Sequence, residues 1–153
     1  MTALNPTVVD AAAARRGARL FTGEAPLVAS LRGHDQALPL DALRCSNCHV
    51  VGTGSSPPAL PVAAVPTGLA ADLGPRGVVA TPVAPRLGPQ TLLQPQRRRG
   101  GPPSQYGVDS FCKLLRTGVD PAQVYAAHSM PVYRISDADC TAIWAYLMST
   151  GTH

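Results

Sequence analysis

Apolar residues recur at helical spacing in three stretches, one near the start of the chain and two near its end. Over 10–22, Asp10 is placed to cap a run opened by the strong helix formers Ala11–Ala14. Gly17 and Phe21 are four apart and share one face of that helix, where a glycine admits a second helix closely; Gly23 ends it. Over 105–117, Val108, Phe111, Cys112, Leu114 and Leu115 give an apolar face, and Gly118 is placed as a left-handed terminator. The clearest pattern is 137–149. Ser136-x-x-Asp139 reads as a capping box with Asp in place of Glu, and Ile143, Trp144, Leu147 and Met148 make the buried stripe before Gly151.

Between these helices the pattern breaks down. Pro26 and Pro39 mark 24–41 as loop, with Asp41 capping a short turn that leads to Cys45. From Val50 to Gln105 the chain carries 11 of its 16 prolines, which rules out long helices. A loop-like stretch of that length implies a functional wrap or a mobile segment, with Val78–Thr81 as one short strand. Residues 119–135 hold Asp120-Pro121 and at most one helical turn at 121–127. With no internal repeat, 1–153 reads as one domain with 50–105 as a wrapping segment inside it.

The candidate chemistry lies at Cys45-Ser46-Asn47-Cys48-His49, the C-x-x-C-H attachment sequence for c-type haem. Two thiols three positions apart can each add S–H across one porphyrin vinyl group, and the adjacent His49 imidazole can ligate the iron. Zinc would ask for a second ligand pair, but Cys112 and Cys140 are too far apart to supply one. A thioredoxin-type dithiol needs a βαβ setting that the pattern lacks, and the spacing fits no ferredoxin cluster.

For the sixth position on the iron, Met130 is the candidate; its Pro131 neighbour argues for a loop rather than a packed helix. His128 is the alternative, giving a bis-histidine haem of lower potential. Met148 reads as core, His34 at most as pocket lining, and His153 as exposed. Cys112 and Cys140 form an even pair flanking the Met130 loop, read as a disulfide in an oxidising compartment against the alternative of two buried thiols.

Taken in order, the helix carrying Gly17 and Phe21, Cys45–His49, the segment Leu115–Pro121 leading to Met130-Pro131-Val132-Tyr133, and the helix carrying Trp144 and Tyr146 resemble the class I c-type cytochromes. The resemblance covers 10–50 and 100–150. It implies an all-α, cytochrome c-like fold: three to five helices around one covalent haem c, with a long Pro/Gly-rich insertion. It implies that the first helix crosses the last, Gly17 and Phe21 meeting Trp144 or Leu147. It also implies a proline carbonyl accepting the His49 Nδ1 proton from a Pro-x-Leu motif. Pro58-Ala59-Leu60 is the best-placed match, and Leu87-Gly88-Pro89 is second. The function implied is one-electron transfer, Fe(III)/Fe(II), between periplasmic redox proteins: a dehydrogenase donor and a cytochrome or oxidase acceptor. Two other readings stand beside this non-enzymatic one, a cytochrome subunit of a periplasmic dehydrogenase and a haem enzyme or sensor with an open sixth site. Residues 1–25 show no signal-peptide pattern, so an exported chain is read as processed.

Composition adds a charge asymmetry. The net charge is +4, and between Arg76 and Arg116 seven basic residues face Asp109 alone. Without aromatic interleaving or a reader helix, this excludes a nucleic-acid partner. Arg97, Arg98 and Arg99 suit haem propionates or an acidic docking partner, with Ser104 and Tyr106 as further propionate donors, or else a solvated loop. No apolar stretch is long enough for a transmembrane anchor.

Overall fold

The computed structural model describes residues 10–52 and 84–151. Helix α1 (Ala11–Thr22) is opened by the Asp10 carboxylate, which accepts from the Ala12 and Ala13 N–H groups at 3.0 and 3.4 Å. Helix α4 (Asp137–Ser149) is opened by Ser136, whose hydroxyl accepts from the Asp139 N–H at 3.1 Å. Only this half of a capping box forms. The Asp139 carboxylate turns instead to the Arg16 guanidinium of α1, at 3.1 and 3.3 Å. The two helices cross at Gly17: a Cβ there would stand 1.9 Å from the Ala142 carbonyl oxygen and 2.8 Å from the Tyr146 Cβ. Only a residue without a side chain permits this approach.

The crossing uses neighbours of the partners expected, Ala142 and Tyr146. Phe21 meets Tyr146 edge-on at 5.6 Å between ring centres, while Trp144 faces the other way and packs on Phe111 at 5.4 Å. Leu20, Ile143 and Leu147 close the core beneath the crossing. Phe111 belongs to α3 (Val108–Thr117), which ends where Gly118 turns left-handed (φ 76°) and its N–H donates to the Leu114 carbonyl at 2.7 Å.

The expectation of an all-α, cytochrome c-like fold is corrected by the strands. Besides α1, α3, α4 and the single turn α2 (Pro89–Leu92), the described residues hold two antiparallel two-stranded sheets, and the architecture is mixed α/β. Strand β1 (Val28–Ser30) pairs with β4 (Val132–Arg134) in the register Val28–Arg134, Ala29–Tyr133, Ser30–Val132. Strands β2 (Gln96–Arg97) and β3 (Pro103–Ser104) form a hairpin. Strands of two or three residues are too short for alternation to show, and the β1–β4 pairing is non-local. The Val78–Thr81 strand lies outside the described residues.

A disulfide joins Cys112 of α3 to Cys140 of α4, with Cα atoms 5.8 Å apart. It ties the helix preceding the Met130 loop to the helix following it. Closing a loop of 28 residues of sequence separation contributes about 3–4 kcal/mol in the chain-entropy picture. Reduction is accordingly expected to lower the unfolding midpoint in denaturant. Thiol counting on denatured, unreduced protein should leave Cys112 and Cys140 unlabelled; two labelled thiols there would rule the bridge out.

Candidate functional site

Two single 3₁₀ turns, Leu40–Ala42 and Cys45–Asn47, deliver the C-x-x-C-H segment. The second is held by the Cys48 and His49 N–H groups donating to the Cys45 carbonyl at 3.2 and 2.9 Å. Asn47 Nδ2 fixes it to the first turn through the Asp41 carbonyl at 2.7 Å. The Cys45 and Cys48 thiols are not bonded to each other. Cys48 is exposed and Cys45 half-buried. Burial pushes the Cys45 thiol up, and the neighbouring Tyr133 hydroxyl opposes that shift. Tyr133, buried in β4, donates to the Leu43 carbonyl at 2.7 Å, and burial followed by the Cys45 charge raises its own pKa. A residue three beyond Met130 therefore reaches the entry to the cysteine segment.

The His49 Nδ1–H donates to the Pro85 carbonyl at 2.8 Å. A carbonyl only accepts, so the proton is placed on Nδ1 and the Nε2 lone pair is left for a metal. Burial lowers the His49 pKa, which suits a neutral ligand, with the Pro85 bond opposing in part. The acceptor corrects the expectation from the resemblance. Pro58 lies outside the described residues. Pro89 of the Leu87-Gly88-Pro89 candidate opens α2 instead, and Leu87 exchanges backbone bonds with Val50 and Gly52 at 2.9 and 3.0 Å. Pro85-Arg86-Leu87 is itself a Pro-x-Leu motif, so the signal that finds it was present in the sequence.

The donor set fits a covalently held haem: two unpaired thiols, a following imidazole held through Nδ1 by a carbonyl, and no competing bond between the cysteines. For a bare ion, no group of three or more His, Cys, Asp or Glu side chains is gathered among the described residues.

Met130 sits in a turn closed by its N–H on the Ala127 carbonyl at 2.9 Å, just before β4, and is half-buried against the core. His128 is exposed and faces the His34 ring edge-on at 6.1 Å. Three of the candidate propionate residues, Arg98, Ser104 and Tyr106, gather with one another. The Arg98 guanidinium donates to the Thr91 carbonyl at 2.6 Å, to Ser104 Oγ at 3.1 Å and to the Ser104 carbonyl, and lies over the Tyr106 ring at 4.8 Å. This knot binds the β2–β3 hairpin to α2. Burial pushes the Tyr106 hydroxyl up to about 12, with Arg98 opposing. Arg97 and Arg99 stay exposed.

Sequence reasoning also missed Asp120, which is buried. Its Oδ1 accepts from the Ala122 and Val124 N–H groups at 2.8 and 2.9 Å. Asp-Pro just after a glycine-ended helix is a turn signal that would have found it. Among the described residues no helix is long and apolar enough to cross a membrane. Set against known proteins, the chain matches no family model, no curated protein and no solved structure.

Proposed function

We propose that this chain is a one-electron carrier holding a single haem c, attached through Cys45 and Cys48 and ligated by His49 and Met130, working between periplasmic redox proteins. The observation that carries this reading is the His49 Nδ1–H···O=C bond to Pro85 at 2.8 Å beside two thiols that are free to react. That bond fixes the tautomer and raises the basicity of the ligating nitrogen. Bound there, the haem would supply Fe(III)/Fe(II) cycling, with a thioether from Met130 favouring the reduced state.

The remaining work falls to this chain's residues. Cys45 and Cys48 hold the group irreversibly, and Pro85 sets the plane of His49. Tyr133 links the Met130 strand to the cysteine turn. With His49 and Met130 both offered to the iron, no substrate site would be needed there, and the reading is a carrier rather than an enzyme. Arg97 and Arg99 offer exposed positive charge for an acidic redox partner, an attraction that weakens with salt. Arg98 is spent on its own hairpin.

Acid–acetone extraction of protein matured with a haem-attachment system tests the assignment. The haem is expected to stay with the precipitated polypeptide and to co-migrate with it in denaturing electrophoresis. Haem released into the acetone would sink the reading.

A further inference from the structure

We infer that Arg32 is the positioning residue that holds the Met130 loop against β1, an inference that rests on the proposed role of Met130 as an iron ligand. Residues 118–126 form a closed tongue. The Ala126 N–H donates to the Gly118 carbonyl at 2.7 Å, and Val119 pairs with Tyr125 across an antiparallel bridge. Asp120 fastens the tip through Ala122 and Val124. Arg32, two residues beyond β1, ties this tongue to the β1 segment at three points. Its guanidinium lies over the Tyr125 ring at 4.1 Å. Its Nη1–H donates to the Ala126 carbonyl at 3.3 Å. Its side chain lies against Gly118, where a Cβ would stand 3.3 Å from Nη1.

The consequence for Met130 follows from counting along the chain. Arg32 grips residue 126, and Ser30 of β1 pairs with Val132 of β4. Five residues, 127–131, span the gap between two anchors set by one short segment, and Met130 is among them. The turn from Met130 N–H to the Ala127 carbonyl takes up the slack. Releasing Arg32 would leave the tongue closed by its Ala126–Gly118 bond but untied from the β1 segment, so that residue 126 would move with the tongue. An arginine is required because stacking and donation use the same planar fork; lysine keeps the charge and loses the stack. His34, on the same segment, adds its ring contact with His128 beside Met130.

The test uses the haem-loaded protein and four variants: Arg32→Ala, Arg32→Lys, Tyr125→Phe and Tyr125→Leu, with Met130→Ala as reference. The readouts are the weak far-red sulfur-to-iron band of the ferric form, the rate at which added imidazole displaces the sixth ligand, and thermal unfolding. Arg32→Ala is expected to weaken the band and speed imidazole capture by roughly 10-fold or more, for a lost cation–π contact plus a charged hydrogen bond, and Tyr125→Leu by roughly 2- to 5-fold, for the cation–π contact alone. Tyr125→Phe should behave as the parent and Arg32→Lys should fall between. Tyr125 is exposed, so its variants report even where Arg32→Ala folds poorly. A band absent in Met130→Ala yet intact in Arg32→Ala and Tyr125→Leu, with imidazole rates within twofold of the parent, overturns the inference alone. A band that survives Met130→Ala overturns the ligand assignment and the inference with it. A lower unfolding temperature with no change in band or imidazole rate would make Arg32 a stability residue only.

Discussion

Replacing both Cys45 and Cys48 by serine is expected to reduce covalently bound haem to background. The serine hydroxyl keeps the size of the thiol and leaves the 3₁₀ turn, the Asn47 bond to Asp41 and the His49 bond to Pro85 in place. What it removes is the nucleophile, since thiolate chemistry has no hydroxyl equivalent at neutral pH. His49 and Met130 alone would then hold haem reversibly, and acid or denaturant would strip it. Haem staining after denaturing electrophoresis reads the result directly. A stained double variant would mean that attachment lies elsewhere. The single variants separate the positions: each keeps one thioether and should stain, with Cys45→Ser also losing the thiol beside Tyr133.

Gly17→Val is expected to lower stability by about 3 kcal/mol or more, the upper range for forcing bulk into a packed contact, or roughly 6–12 °C in unfolding temperature. The obstacle is the Ala142 carbonyl oxygen and carbon, 1.9 and 2.5 Å from where the Cβ would stand. Both are backbone atoms of α4, so no shortened side chain on the partner makes room. The helices must separate, drawing Leu20 and Phe21 away from Ile143 and Leu147. A better intrinsic helix former than glycine recovers at most about 1 kcal/mol of this. Circular dichroism on heating checks it, and an unchanged midpoint would mean that the crossing is looser than the structure has it.

The helices were legible because their signals are local. Asp10, Ser136 and Gly118 each act within four residues of where they stand, and Gly17 announced a close crossing, although the partner turned out to be the Ala142 backbone rather than Trp144 or Leu147. The strands were not legible: Val28–Ser30 has no alternation of its own and exists because β4 lies beside it. Of the candidate site, Cys45, Cys48 and His49 were written in one pentapeptide. The carbonyl that holds His49 comes from a proline 36 residues on, while the two motifs read for the part were Pro58-Ala59-Leu60 and Leu87-Gly88-Pro89. Arg98 shows the opposite limit. In sequence it looked like one of three equal charges, whereas in the fold its donors go to backbone carbonyls that no pattern of side chains reveals.

The pairing of Val51 with Leu87 and the His49 bond to Pro85 make residues 50–52 and 85–87 neighbours in space. The two segments thus meet at a single seam immediately behind the imidazole. Their separation there is set by those bonds and not by the number of residues that join them in sequence, and closure entropy grows only slowly with that number. The aim of His49 is therefore expected to follow the bonds at this seam, so that weakening the Val51–Leu87 pairing would disturb the imidazole although its own bond is to Pro85.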